Sequence, residues 1–296
     1  LGESIAGRYS VSSWHTEYDA ALEECPDIVV ICTPAPWHVP MARRAVEAGA
    51  SVLIEKPLST SMEGVDSLID LVKRSGKVAS VAYVYRCHPG LRAMRQAIQT
   101  GQFGEPLSLV ANSGQHFPTY RPAYRDIYYN DRRAGGGAVQ DALTHVVNAS
   151  EWLVGPAQRV LADYGHQALE GVSVEDTAHV LTRHGRVMGC YSLNQFQAPN
   201  ESTITVVCTK GTARFEYHRN RWRWMTDPLG QWHDEVGGPL ERDTLFTLQA
   251  NSFLDAVEGR GPLGCTLEEA RQTLRVNLAI LRSGDPEQQD GRWVEI

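Results

Sequence analysis

The sequence predicts an α/β fold, with a parallel sheet under helices in its first third and an α+β unit built on an open antiparallel sheet after it. Three observations carry this prediction. Residues 28–32 and 51–54 are short runs, IVVIC and SVLI, that are apolar or small throughout. Between them Val39, Ala42, Ala45, Val46 and Ala48 recur at helical spacing. Strands apolar on both faces belong to parallel sheets covered by helices, and a parallel pair needs a crossover helix, so this stretch is a βαβ unit. From Arg159 onward the pattern changes to short alternating runs separated by Gly, Pro and Asn, which is the mark of antiparallel strands.

Composition bounds the function. The chain has 296 residues, enough for two domains, and the boundary falls between 1–86 and 87–296. At 42% hydrophobic and 21% charged it reads as an ordinary globular protein. A net charge of −7 with no basic run argues against non-specific nucleic-acid binding, which needs a cationic face. No apolar run is long enough to cross a bilayer. Cys25, Cys32, Cys87, Cys190, Cys208 and Cys265 form no CxxC and read as free thiols of a reducing compartment.

Taken in order, residues 2–27 predict a short helical piece, a small strand and a helix leading into Ile28. In the βαβ unit the polar residues gather at the carboxyl ends of the strands: Thr33, Pro34 and His38 after the first, Glu55, Lys56 and Pro57 after the second. Open α/β sheets bind ligands there. Pro57 biases Lys56 toward extended geometry, which holds its amine at the strand end. Taken alone, Lys56 is as readily a solvated loop lysine. Residues 61–76 form an amphipathic helix with Val65, Leu68, Ile69 and Val72 on one side, closed by Gly76. A strand over 78–85 rejoins the sheet and leaves Arg86 and His88 at its carboxyl end; a helix over 90–100 then leads into the second domain.

That domain opens with a strand over 106–115 and a loop dense in aromatics and arginines. Tyr120, Arg121, Tyr124, Arg125, Tyr128 and Tyr129 could wall a ligand pocket, since rings stack on sugar faces and guanidinium forks grip carboxylate or phosphate; a contact surface between subunits is the alternative. Asp141 and His145 follow a triple glycine, four residues apart on one helix face. A carboxylate beside an imidazole raises its basicity and fixes its tautomer, which suits proton removal from a hydroxyl. On spacing alone such a pair is more often a surface pair. Six strands then run between 159 and 227; Trp222 and Trp224 share a strand face, and Gln195, Gln197 and Asn200 lie in a polar turn. A helix over 244–257, a second helix N-capped by Thr266 with Glu268 and Glu269 in its first turn, and an edge strand WVEI complete the chain.

TPxxxH at 33–38, the helix, Gly49, a strand, EKP at 55–57 and GGGxxxDxxxH at 135–145 together resemble the Gfo/Idh/MocA family of NAD(P)-dependent oxidoreductases, which act mainly on sugars and cyclic polyols. The resemblance runs over nearly the whole length. It implies a Rossmann-type first domain, NAD or NADP as cofactor near Thr33, Pro34, His38, Glu55 and Lys56, and a sugar or polyol substrate held between the domains. It further implies that Lys56 donates to the reacting oxygen, that His145 exchanges the proton and that Asp141 binds and orients the substrate. Arg86, Tyr124 and Arg125 are candidate substrate contacts, with a plain salt bridge equally open for Arg86. A cytoplasmic homodimer or homotetramer is expected. Asn148 departs from the family, many of whose members place Asp there; the lost charge argues against a metal.

Upstream of Ile28 a first strand, a GxGxxG turn and a second strand are missing; either the sequence is a fragment of a longer gene or the protein has discarded its first βαβ unit, and the start at Leu1 instead of Met favours the fragment. The cluster from Gly135 to Gln140 is no dinucleotide turn, because it follows the polar loop NDRRA instead of a strand. Two alternatives stay open: a glycosidase of the same family acting by transient oxidation, and a non-catalytic sugar-sensing module. Lys56, Asp141 and His145 together speak against the second.

Overall fold

A computed structural model of the chain describes residues 2–241, 243–285 and 292–296. Helices α1 (Gly2–Tyr9) and α2 (Tyr18–Glu23) precede strand β1 (Ile28–Ile31). The small strand expected before α2 is absent: residues 10–17 carry too few apolar positions to join a sheet and run as bends and coil. A 3-10 turn at Ala35–Trp37 starts the crossover helix α3 (His38–Glu47), and Gly49, at φ +93°, turns the chain into β2 (Ser51–Ile54). Helix α4 (Val65–Ser75) lies between two left-handed glycines, Gly64 and Gly76, and leads to β3 (Ala79–Val81). The three strands are parallel in the order β1-β2-β3, with Val29 opposite Val52 and Val52 opposite Ala79.

The strand expected over 78–85 stops at Val81, and Val84–Cys87 form a 3-10 turn that turns the backbone away from the sheet. Helix α5 (Pro89–Gln99) then begins with His88 as its cap, the imidazole Nδ1 accepting from the Gly90 amide at 3.1 Å. Strand β4 (Pro106–Gly114), the short helix α6 (Phe117–Tyr120) and three 3-10 turns bring the chain to helix α7 (Thr144–Val154). The strands β5 (Arg159–Gly165), β6 (Thr177–His184), β7 (Val187–Asn194), β8 (Glu201–Cys208), β9 (Gly211–Glu216), β10 (Arg221–Met225) and β11 (His233–Val236) precede the helices α8 (Thr244–Val257) and α9 (Leu267–Ser283), with β12 (Val294–Glu295) last. The second sheet runs β11-β10-β9-β8-β4-β7-β6-β5-β12. It is antiparallel except where β4 lies parallel to β7, so it is mixed; β11, all exposed and strongly polar, carried no sequence signal.

One face of this sheet packs on α5, α7 and α9 through Leu91, Met94, Val146, Val147, Val276 and Ile280. Its other face leaves Leu107, Val110, Leu181, Met188 and Val207 in solvent. Trp222 is internal, its ring 6.4 Å from Phe103, and Trp224 stacks on His233 at 4.1 Å.

The boundary expected at residue 86 is crossed by the end of the chain. Cys265, Leu267, Ala270 and Leu274 join α3 and α4 on one face of the parallel sheet. On the opposite face Phe253 of α8 covers Leu53 and Ala82. One face is thus covered by α3, α4 and α9 together and the other by α8, and no local pattern in the sequence announces the place of the last two helices.

Candidate active site

The loops after β1 and β2 meet at the carboxyl edge of the parallel sheet. His38, 1% exposed, staples them together, its Nδ1 lying 2.8 Å from the Pro57 carbonyl and its Nε2 2.7 Å from the Thr33 carbonyl. It shapes the site through those loops. The Glu55 carboxylate accepts from the Lys56 amide at 3.1 Å, and Lys56 enters a cis peptide bond with Pro57. Thr33, Pro34, His38, Glu55 and Lys56 line one cavity of about 270 Å³, closed from the other domain by Tyr128 and Ala134. Gly135, at φ +96°, passes so near that a Cβ would come within 3.0 Å of the Ala35 Cβ.

Lys56 reaches out of this cavity into the second domain. Its Nζ donates to Asp141 Oδ1 at 2.7 Å and to the Asp141 carbonyl at 2.8 Å. That carbonyl lies in a π-turn, Val139–Leu143, which leads straight into α7. Such widened turns inside helices occur mostly at functional sites. The same Oδ1 accepts from the Tyr128 hydroxyl at 2.7 Å, and Arg121 stands 3.7 Å from Oδ2. Asp141 and His145 both line a second cavity of about 270 Å³, with Tyr85, Arg121, Gln195 and Asn200 among its walls. The two cavities thus abut, and the Lys56–Asp141 ion pair is the partition between them.

Burial by itself would push the Asp141 carboxyl up. Lys56 and Arg121, with the hydrogen bonds from Lys56 and Tyr128, outweigh it and hold the group well below the usual carboxylate range. Its negative charge in turn raises Tyr128, whose hydroxyl stays protonated; burial is the larger cause. His145 goes the other way: burial, then the positive charges of Lys56 and Arg121, bring it down to about 3 against the opposing pull of Asp141. No hydrogen bond joins it to Asp141, and its Nδ1 is buried without a partner. The expected carboxylate–imidazole pair is therefore replaced by a carboxylate–ammonium pair, because the π-turn directs Asp141 at Lys56. His145 is held by rings instead, stacked on Tyr85 at 5.2 Å and edge-on to Tyr83 at 6.0 Å.

Three candidate substrate contacts lie elsewhere. Arg86 is 2% exposed; its Nε donates to Asn148 Oδ1 at 2.7 Å, and it pairs with Glu269 at 2.7 Å. Because β3 ends early, the 3-10 turn puts Tyr85, not Arg86, at the cavity. The Tyr124 hydroxyl donates to the Glu170 carbonyl at 2.7 Å, and Arg125 Nε donates to the same oxygen at 2.8 Å, so both tie the loop to the segment before β6. The aromatic loop supplies Tyr128 and Arg121 to the site in their place. An irregular loop has no periodicity from which to read which of its tyrosines faces inward.

A three-stranded parallel sheet and a nine-stranded mixed sheet, with an ion-paired lysine at the carboxyl edge of the first and a buried histidine ring nitrogen on α7, which packs on the second, define a two-domain α/β protein. Two family descriptions match it: "Oxidoreductase family, NAD-binding Rossmann fold" over residues 2–83 and "GFO/IDH/MocA C-terminal domain" over residues 91–214. The chain belongs to the GFO/IDH/MocA family. It is 26% identical over 202 residues to D-xylose 1-dehydrogenase [NADP(+)] of Haloarcula marismortui, a match covering 67% of this chain and 56% of that protein. It is 30% identical over 164 residues to levoglucosan dehydrogenase of Pseudarthrobacter phenanthrenivorans, covering 55% and 42%. The chain thus spans about half the length of these curated relatives. Its fold follows that of a levoglucosan dehydrogenase solved in complex with NADH and levoglucosan, at TM-score 0.89 and 22% identity, covering 100% of this chain and 87% of the other. An inositol dehydrogenase homolog of Azotobacter vinelandii complexed with NAD+ aligns at TM-score 0.89 and 18% identity, with the same coverage.

Proposed function

We propose that this chain carries the catalytic groups of an NAD(P)-dependent oxidoreductase acting on a hydroxyl-bearing carbon of a sugar, sugar derivative or cyclic polyol. The observation that carries the reading is the Lys56–Asp141 pair standing as a wall between two cavities, one formed by strand-end loops and the other by His145 and polar side chains.

The first cavity fits the nicotinamide end of the cofactor: Cys32, Thr33, Pro34 and Ala35 give it one wall of small side chains, the Gly135 backbone passes close against Ala35, and Glu55, Lys56 and Tyr128 supply polar groups. Thr33, Pro34, Glu55 and Lys56 would hold it. When bound there, the nicotinamide cofactor supplies the hydride chemistry. The second cavity, walled by Tyr85, Gln195 and Asn200, offers amide groups to a polyhydroxylated substrate. His145, neutral at physiological pH, accepts the proton of the reacting hydroxyl. Lys56, fixed by its two bonds to Asp141, donates to the same oxygen and steadies the charge that builds on it. Asp141 stays ionised and holds Lys56 and Tyr128 in place, and Arg121 can meet a further substrate hydroxyl.

We place the enzyme in a homo-oligomer in the cytoplasm; the apolar outer face of the nine-stranded sheet, with Leu107, Val110, Leu181, Met188 and Val207 exposed, supports the first part. The reading is tested by titrating the protein with NADH and NADPH, following fluorescence transfer from its tryptophans, then assaying reduction of NAD+ and NADP+ with xylose, levoglucosan and myo-inositol. Binding of one nucleotide and turnover of a polyol support it. Nucleotide binding with no oxidation of any cyclic polyol or sugar, in wild type and His145→Ala alike, points to a sensing module instead.

A further inference from the structure

A separate cleft of about 740 Å³ lies between α5, α8 and the loop that precedes α9. It shares no lining residue with the two cavities at Lys56 and His145. Three guanidinium groups line it, and they are not equivalent. Arg86 is committed to the protein through Asn148 and Glu269. Arg92 and Arg95 are each anchored to the backbone through Nε: Arg92 Nε donates to the Arg86 carbonyl at 2.7 Å, and Arg95 Nε donates to the Trp152 carbonyl at 3.0 Å. The Arg95 guanidinium also lies 4.4 Å from the centre of the Trp152 ring. Beyond these bonds Arg92 makes one long contact, 3.9 Å, to Cys87 Sγ, and neither arginine has a carboxylate partner among the described residues.

The acids of the cleft are already engaged. Asp255 pairs with Arg260 at 2.8 Å; Glu269 pairs with Arg86 at 2.7 Å and caps α9 by accepting from the Thr266 amide at 2.9 Å. Burial and the neighbouring Arg86 charge draw Arg95 below the usual guanidinium value, with Glu269 offsetting part, as expected of cations crowded together without full counter-charge. A guanidinium anchored at Nε and backed by an indole keeps its two terminal nitrogens side by side, in the fork that matches a planar or tetrahedral oxyanion.

We propose that this cleft is a second ligand site, which takes a small metabolite by its carboxylate or phosphate group, with Arg92 and Arg95 as the gripping pair. Its size is that of a small-molecule site, and the proposal stands whether or not the chain is a dehydrogenase. The test is calorimetric titration of the whole chain at low ionic strength with inorganic phosphate and, separately, with citrate. Saturable binding of at least one is expected, and the tighter of the two tells a phosphoryl ligand from a carboxylate. Arg92→Gln combined with Arg95→Gln weakens that binding by ~10-fold or more, whereas Lys56→Ala leaves it unchanged. Absence of saturable binding, an undiminished affinity in the double variant, or loss of binding in Lys56→Ala each overturns the proposal. Should the double variant fail to melt cooperatively, Arg95→Lys, which keeps the charge but loses the fork, takes its place; it is expected to weaken binding ~3-fold or more, and unchanged affinity overturns the proposal.

Discussion

Lys56 and Asp141 stand 85 positions apart in the chain and 2.7 Å apart in space, and the ammonium also takes the carbonyl oxygen of the same aspartate. One side chain thus fixes the strand-end loop of the parallel sheet to the π-turn that opens α7. Its side chain is 12% exposed and that of Asp141 2%, so water screens the pair little.

Removing either end, or the histidine beyond it, is expected to stop the reaction without unfolding the protein. Lys56→Ala, Asp141→Asn and His145→Ala should each lower kcat by ~100-fold or more, the usual loss for a positioned acid/base group or its anchor. Turnover is measured beside thermal melting, and near wild-type kcat in Lys56→Ala or His145→Ala would remove these residues from the mechanism.

Two tyrosines of one loop separate the site from its scaffold. Tyr128→Phe deletes a donor to the Asp141 carboxylate, a bond worth about 1.5–3 kcal/mol, and should cut kcat/KM by ~10-fold. Tyr124→Phe loses the bond to the Glu170 carbonyl and the one its oxygen accepts from Arg125 Nε, and should cost about 1–2 kcal/mol of stability with kcat/KM unchanged. Steady-state kinetics of the two variants side by side decide the matter; equal effects would contradict the geometry.

Arg86 is expected to behave as a tie and not as a substrate contact. Arg86→Gln leaves Asn148 and the partly exposed Glu269 short of a charged donor, and about 2–3 kcal/mol of stability should go with it. Denaturant unfolding reads the loss. A rise in KM at unchanged midpoint would return Arg86 to the substrate.

Acid sensitivity follows from the buried histidines. Burial takes His88 from 6.5 down to about 4, opposed by a hydrogen bond with Asn220, and its neutral Nδ1 is needed to accept from Gly90. The unfolded chain therefore binds the proton first: stability is at its full value above pH 6.5 and falls as pH drops through the window from 6.5 to about 4. His145, brought down to about 3, adds a second proton to the same slope. His88→Asn keeps a capping acceptor and removes one titration, worth up to about 3 kcal/mol by pH 4. Unfolding free energies measured between pH 4 and 7 should show a shallower slope in the variant, and identical slopes would refute the assignment.

Gly137 carries the approach to the π-turn at φ +88°, and a Cβ there would strike the Glu175 carboxylate, which itself accepts from the Val139 amide at 3.1 Å. Gly137→Ala should displace Asp141 and lower kcat by ~10-fold or more while costing at least about 1 kcal/mol. Kinetics and melting of this variant check both figures.

What could be read from the sequence was what is local. The βαβ unit, the glycine stops of α3 and α4, α8 and the Thr266 cap with its reciprocal Glu269 bond are set by residues within a few positions of one another. Lys56, Asp141 and His145 were reachable through spacing and family resemblance. Their wiring was not: the partner of Asp141 depends on a contact across two domains and on a π-turn that has no sequence signature. The same holds for Tyr85, which stacks on His145 only because β3 ends at Val81, and for Arg86, whose partners Asn148 and Glu269 lie on α7 and α9.

The Cys265 carbonyl accepts from the Val81 amide at 3.1 Å and from the Ser80 hydroxyl at 2.8 Å, beside the helices that close the parallel sheet from both sides. A ribosome that has just released residue 86 has made β1, β2 and β3 with α3 and α4, and neither α8 nor α9. With α3 and α4 already against one face, Leu53 and Ala82 on the other stay uncovered until α8 has emerged. The first domain thus completes its packing only after the second has been made, and excising it would strip Leu53 and Ala82 of their cover.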